Sequence, residues 1–550
     1  MLEIRTEAEL ALLARALAGK QVLSAAERKI VRPDVTVDSR QVRAAQDLIL
    51  AGEDPLGDCL LALRSPEARR TVGAVYTPRA IVEAMVRWAA SKGKPARIVD
   101  AGCGSGRFTV AAAKVFAKAR LIACDVDPLA VLILRANAAV LQFAHRLEAR
   151  VTEYRSLDIP QIEGRTLYIG NPPYVRHHEI SADAKEWFAN TAGKLGFSAS
   201  KLAGLHVHFF LRTREIAKRG DWGAYITAAE WMDVNYGSVV RKMLSDGLGG
   251  SALHIFKPEG LPFDDAMTTG VITTFKVGKR PKQLTVRELE NSEDLNDLKG
   301  GRRISWADAE DCDRWSNLTR SRVRAPKELV PLGQLFRVHR GAVTGANDVF
   351  IEGEFRGRLP EQFLVPAVTK AKDLFEASGA LIDAKSLRRL IALPADADSL
   401  TADECAAVEE FKKWAREQGA HQTYTAKSKK AWWSISLREP APILCTYMAR
   451  KAPAFVRNLV GARHINIAHG LYPRVPMTAV DLDAYAIFLR ENVCKSEGRT
   501  YAGGLTKFEP KEIERLLVPA VDAVRKAAAL KEPSRTQLDG ASGVVPASQA

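Results

Sequence analysis

Four consecutive residues, Asn171-Pro172-Pro173-Tyr174, follow the apolar run Leu167-Tyr168-Ile169-Gly170 and suit the handling of a planar amino group. The Asn171 amide carbonyl is one acceptor for an N–H2 group, and the Pro172 carbonyl, on backbone stiffened by the proline pair, is a second. Tyr174 offers a ring to stack on. A strand ending in a proline turn would carry the same letters without any chemistry, so the residues upstream must decide.

Upstream, Arg97 to Phe108 reads as a β-branched strand, a glycine-rich turn and the start of an alanine-rich helix over about Thr109 to Ala117. Gly102, Gly104 and Gly106 let backbone approach a ligand closely at a helix N-terminus. Their spacing is GxGxG and no GK[ST] follows, which sets aside the dinucleotide fingerprint and the P-loop. The next strand, Leu121 to Cys124, runs into Asp125-Val126-Asp127-Pro128, and an acid about twenty residues past the glycine loop is where a nucleoside-binding α/β fold keeps its ribose acceptor. Asp125 takes that role, and Asp127 reads as a helix N-cap before Pro128. Asp158, after the strand-like stretch Val151 to Tyr154, is a candidate acceptor for an adenine amino group.

In this order Thr77-Pro78, Asp100 to Gly106, Asp125, Asp158 and Asn171 to Tyr174 resemble the γ-class, Taq-type DNA adenine-N6 methyltransferases of restriction-modification systems, with Gly73 to Arg79 similar to their opening motif. The resemblance implies a class I, Rossmann-like S-adenosylmethionine-dependent methyltransferase domain, an α/β fold, followed by a mixed α+β target-recognition domain. It implies that Thr77 contacts the cofactor carboxylate and that Asp100, Gly102 and Gly104 line its methionine and ribose region. Asp125 with Val126 takes the ribose, Asp158 the adenine N6, Ile159 the adenine ring, and Phe209 packs on that adenine, although plain helix core explains Phe209 equally well. Gly223 to Gly237 resembles the segment supplying a second aromatic wall, with Tyr236 as the match and Trp231 as core. The partners implied are double-stranded DNA, bound as a monomer, and a separately encoded restriction endonuclease.

The residue types suit that chemistry. An exocyclic adenine nitrogen is a poor nucleophile because its lone pair is delocalised, and two acceptors on its hydrogens, Asn171 and the Pro172 carbonyl, favour a pyramidal, more reactive nitrogen. A sulfonium donor carries its own leaving group, so alignment supplies most of the acceleration. A stacked base is out of reach, so it must be flipped and held, here between Tyr174 and Tyr236. Two other classes share parts of the pattern: methyltransferases of a non-DNA amide or amine, since release-factor glutamine methyltransferases also carry NPPY, and a non-catalytic DNA-binding subunit.

The whole chain agrees. A net charge of +15 over 550 residues attracts polyanions, while 47% hydrophobic and 26% charged residues are ordinary for a globular protein of several domains. Seven scattered cysteines without a CxxC exclude a zinc module and a disulfide framework, and four histidines (His177, His178, His206, His208) lack companion ligands, so no metal is expected. No signal-like or membrane-spanning run is present in the sequence, which leads to a cytoplasmic expectation. The expected organisation is a helical cap over 1–70, the methyltransferase domain over 71–280, a charged linker over 281–324, a recognition domain over 325–530 and a disordered tail over 531–550. Within the recognition domain, Val338 to Phe350, His464 to Pro473 and Gly503 to Pro510 resemble family segments. Lys427, Lys429, Lys430, Trp432, Trp433, Tyr447 and Arg450 interleave bases with aromatics, and Lys429, Lys430 and Arg450 are the candidate DNA contacts.

Overall fold

The computed structural model describes residues 2–31, 36–73, 76–257, 269–278, 281–290, 292–295, 298–312, 314–319, 329–351, 355, 357–396, 398, 400–500 and 505–529. The expected tail over 531–550, and parts of two motifs (Ala74-Val75 and Gly503-Gly504), lie outside these residues. The chain divides into two compact units, residues 1–321 and 322–550.

The first unit is built on a nine-stranded sheet: β1 (Arg97–Ala101), β2 (Arg120–Asp125), β3 (Leu147–Val151), β4 (Thr166–Gly170), β5 (Trp222–Ala228), β6 (Gly250–Phe256), β7 (Gly270–Lys276), β8 (Gln283–Leu289) and β9 (Arg302–Ser305). Their order is 3-2-1-4-5-7-6-8-9. Strands β1 to β5 are mutually parallel and β7 enters antiparallel between β5 and β6. This is the class I methyltransferase sheet, widened by two strands. Alternate residues feed opposite layers, as the pleat requires: Val99, Ile122 and Tyr168 enter one core, and Ile98, Leu121, Leu167 and Ile169 the other.

The widening corrects the expected linker. Residues 283–289 pair in parallel with β6 and residues 302–305 close that edge, because Leu284, Val286 and Ile304 bury in the same core as Leu253. The charge that suggested a linker sits on the wetter positions of an outer strand whose burial alternates.

Five N-terminal helices, α1 (Glu7–Ala18), α2 (Ala25–Ile30), α3 (Ser39–Leu50), α4 (Pro55–Leu63) and α5 (Pro66–Val72), precede the sheet, and α6 (Arg79–Lys92) leads into β1. Helix α7 (Arg107–Val115) follows β1 and α8 (Pro128–Val140) follows β2. The sequence of α8 is apolar nearly all round because both sides are covered: Leu129, Leu132 and Ile133 pack with Leu10, Leu13 and Leu60 of α1 and α4, while Val131 and Leu134 face the sheet. Helices α9 (Ala182–Lys194), α10 (Leu205–Ile216) and α11 (Ser238–Ser245) contribute to the core that receives Val99.

The second unit contains a five-stranded sheet in the order 336–340, 468–473, 443–446, 455–458, 380–381, two three-stranded sheets, and the long helices Ala402–Glu417 and Ala479–Asn492. Phe350, Phe355, Phe411 and Trp414 form one core, and Phe336, Phe455 and Tyr485 another.

Candidate functional site

In the first unit, strand order reverses between β1 and β4, and at such a switch point the carboxyl ends of parallel strands splay to leave a crevice. A cavity of about 410 Å3 lies there. Thr77, Gly102, Gly104, Asp125, Val126, Asn171 and Phe209 all line it, although they come from five separate stretches of chain. Gly102, Gly104 and Gly106 have φ of 68°, 53° and 91°, so the loop needs glycine at all three.

Two carboxylates organise this loop. Asp125 accepts the backbone N–H of Gly104 at 2.9 Å and of Asp127 at 3.0 Å. Asp100 is buried at the end of β1, where its Oδ2 accepts the Thr109 N–H at 3.0 Å and the Thr109 hydroxyl at 2.6 Å. Its Oδ1 is buried without a protein donor, and burial pushes the group up to about 7. A buried acceptor left open just before the glycine loop, which itself lines the cavity, fits a ligand that brings its own donors or positive charge. Burial also raises the Asp125 carboxyl. Asp127 caps α8 through the Leu129 N–H and pairs with Arg64 at 2.5 Å.

The amino-group motif is tied to the opening motif at two points. The Asn171 Nδ2 donates to Thr77 Oγ1 at 3.1 Å, which fixes the amide plane and assigns Oδ1 as its acceptor end. The Tyr174 N–H donates to the Gly73 carbonyl at 3.1 Å. Gly73 has φ of 65°, and a Cβ there would lie 2.6 Å from the Tyr174 nitrogen, so this approach too requires glycine. Pro172 is buried behind Asn171.

Other expected residues stand elsewhere. The Tyr174 ring is half-buried against the core beneath α6 and edge-on to His206 at 6.5 Å. Tyr236 sits on the turn Asn235–Gly237 and donates to Glu230 at 3.2 Å; neither tyrosine lines the cavity. Asp158 is exposed and Ile159 half-buried, both outside the cavity. The expected strand through Tyr154 ends at Val151 and a 3-10 turn over Tyr154–Ser156 carries the chain away, so Thr152 to Arg155 reach the cavity and Asp158 does not. Tyr154 there meets Phe209 with ring centroids 5.1 Å apart. His206 and His208 are held neutral by burial, near 4 and 3, and among the described residues no His, Cys, Asp and Glu cluster could hold a metal. No described helix is long and apolar enough to cross a membrane.

The sequence concealed one part of the site, the N-terminal helices. Leu60 and Leu61 of α4, with Arg64 just after it, form part of the cavity wall. Asp54, which caps α4 through the Gly57 N–H, accepts the Ser105 hydroxyl at 2.7 Å and Arg107 Nε at 2.8 Å, both from the glycine loop and its helix. Arg107 also donates to Asp58 at 2.7 Å and to the Thr77 carbonyl at 3.3 Å, and lies 5.0 Å from the Tyr76 ring centroid. Asp54 before Pro55 reads only as a helix cap, and nothing local in the sequence marks its tertiary contacts.

In the second unit, Lys430 and Arg450 are exposed, whereas Lys429 is half-buried and its Nζ donates to the Ser434 carbonyl at 3.2 Å. Trp432 and Trp433 pack on a core, with Arg416 and Lys412 against their faces at 5.7 and 3.8 Å. Tyr447 accepts from Arg340 at 2.9 Å and bonds Glu509 at 3.3 Å. The interleaved bases and aromatics are therefore mostly internal packing.

Residues 122–255 match the family model of the Eco57I restriction-modification methylase, and residues 316–540 that of the C-terminal domain of type II methyltransferase M.Eco57I. The chain is 47% identical over 532 residues to the type II methyltransferase M.XamI of Xanthomonas campestris pv. amaranthicola, covering 95% of this chain and 99% of that protein. It is 21% identical to the type II methyltransferase M.AccI of Acinetobacter calcoaceticus, over 82% and 86% of the two chains. In fold it is similar to the type IIL restriction-modification enzyme MmeI, solved in complex with DNA, with a TM-score of 0.56 at 14% identity, covering 87% of this chain and 75% of that one. With the class I sheet and its cavity, these matches identify the chain as a member of the type II restriction-modification methyltransferases, whose methyl donor is S-adenosylmethionine.

Proposed function

We propose that this chain methylates the N6 nitrogen of an adenine flipped out of duplex DNA. The observation that carries the reading is the Asn171 amide, held in plane by Thr77 at the cavity edge, with the Pro172 carbonyl following it on rigid backbone. Cytosine-C5 chemistry calls for a thiolate nucleophile, and Cys103 and Cys124 beside the loop are buried, with their thiols driven up by desolvation.

On this reading, Asn171 Oδ1 and the Pro172 carbonyl accept the two N6 hydrogens and turn the nitrogen lone pair toward the cavity. The nitrogen so presented would accept the methyl group that a bound sulfonium donor would supply, and would then shed one proton. No strong base is needed, which suits a site whose nearby histidines stay neutral. Tyr174 and Tyr236 flank the base. S-adenosylmethionine, when bound, supplies the activated methyl. Asp125 and Val126 take its ribose, Thr77, Asp100, Gly102 and Gly104 its amino-acid end, and Phe209 its adenine. The purine edge, assigned by resemblance to Asp158 and Ile159, falls instead to Thr152 to Arg155, which line the cavity.

Expression in a methylation-free host followed by single-molecule sequencing tests the reading. Modified adenines at one short site are expected, and none with Asn171→Ala. Modified cytosines, or unmodified DNA from an active cofactor-binding protein, would refute it.

A further inference from the structure

Tyr424 is 91% exposed, the highest value among the large hydrophobic side chains of the described residues. Its backbone is nevertheless fixed. Thr423 Oγ1 accepts the Ala426 N–H at 3.3 Å and donates to the Ala420 carbonyl at 3.1 Å, the Thr423 carbonyl accepts the Lys427 N–H at 3.0 Å, and Ala426 is buried. The loop after strand 336–340 braces the same turn: Gly345, at φ of 77°, lies so close that a Cβ would sit 2.8 Å from Thr423 Oγ1. Val343 in that loop is itself 41% exposed. A rigid turn thus holds an aromatic ring in water, where its apolar faces gain nothing.

The charge around the ring says what would cover it. Between Glu417 and Glu439 the chain has no acidic residue, and Lys427 and Lys430 are exposed on either side of Ser428. An exposed flat ring followed three and six residues later by exposed lysines matches a nucleic acid, whose phosphates meet the lysines and whose bases meet the ring where a step is opened. A protein partner would also bury the ring, but it would have to be acidic to meet the lysines.

We propose that Tyr424 is a contact of the second unit with duplex DNA, its ring packing on a base face laid open at a kinked or unpaired step, flanked by phosphate contacts from Lys427 and Lys430. The inference rests on the reading of the chain as a DNA methyltransferase and adds a residue to its DNA interface. Ring contact and charge contact separate by salt dependence, since only the latter releases counterions.

The test uses the full chain and a labelled duplex carrying the site found by sequencing. Tyr424→Ala should weaken binding roughly 5- to 100-fold with an unchanged salt slope, and Tyr424→Phe should stay within about two-fold of wild type. Lys430→Gln should lower the salt slope by about one, and cofactor affinity, by calorimetry, should be the same in all three. Wild-type DNA affinity in Tyr424→Ala overturns the proposal, as does equal loss in Tyr424→Ala and Tyr424→Phe. A wild-type protein that binds cofactor but neither binds nor methylates any duplex overturns the DNA reading itself and takes this inference with it.

Discussion

Replacing Asp100 by asparagine should stabilise the ligand-free protein at pH 8 while weakening its hold on the cofactor. Burial lifts the Asp100 carboxyl from 3.8 to about 7, with Asp125 adding like-charge repulsion and the two Thr109 bonds pulling the other way. The folded state therefore keeps the proton more tightly than the unfolded chain. Its contribution to stability is fully present below pH 3.8, shrinks as pH rises, and is gone above about pH 7. A gap of about 3 pH units at 1.36 kcal/mol each amounts to about 4 kcal/mol. Asparagine is neutral and keeps an oxygen for Thr109, so the variant should gain up to that amount over wild type at pH 8 and nothing at pH 4. Urea unfolding of both proteins across this range isolates the difference from every other titrating group. On the proposed assignment the cofactor needs the ionised carboxylate, so wild-type affinity should fall with proton uptake below about pH 7, and the variant should bind weakly throughout. Parallel stability curves for the two proteins would refute the argument, because Asp100 would then ionise as freely in the fold as in water.

Asp54→Ala removes the acceptor for Ser105 and Arg107. With Asp58 left to Arg107, it should cost about 3 kcal/mol of stability, read by denaturant unfolding, and should raise the cofactor Kd more than it lowers kcat. Asp158→Ala should leave cofactor affinity unchanged by calorimetry, since the side chain is exposed and away from the cavity. Lys430→Ala should lower the salt slope of DNA binding by about one, whereas Lys429→Ala, whose ammonium is held by Ser434, should leave the slope nearly intact.

The class I sheet was legible because three of its first strands end in a recognisable break: Gly102 after β1, Asp125 at the end of β2, Asn171 after β4. Those breaks also line the cavity, since parallel strands bring their carboxyl ends to one edge. Asp158 falls outside the cavity lining, since sequence distance past β3 says nothing about where the chain turns and the turn at Tyr154–Ser156 has no glycine or proline to announce it. The 281–324 stretch reads as a linker for a related reason: the last two strands at that end of the sheet, β8 and β9, expose part of their length and carry charges at the density of a linker. Asp54 and Arg107 could not be paired from sequence, because their contact exists only once α4 and α7 are packed. In the second unit, Trp432 and Trp433 resembled a nucleic-acid groove until their core neighbours were known, whereas Tyr424 attracted no notice because a lone tyrosine has no pattern.

The packing of α1 and α4 onto α8 sets an order of events during synthesis. Leu10, Leu13 and Leu60 emerge from the ribosome well before Leu129, Leu132 and Ile133, the side chains against which they will be buried. Until then the N-terminal helices carry an apolar stripe with nothing to cover it, and isolated short helices are marginal in water. The N-terminal helices should thus gain their packing only when α8 has cleared the exit tunnel, and the nascent chain before that point is a natural client for a holding chaperone.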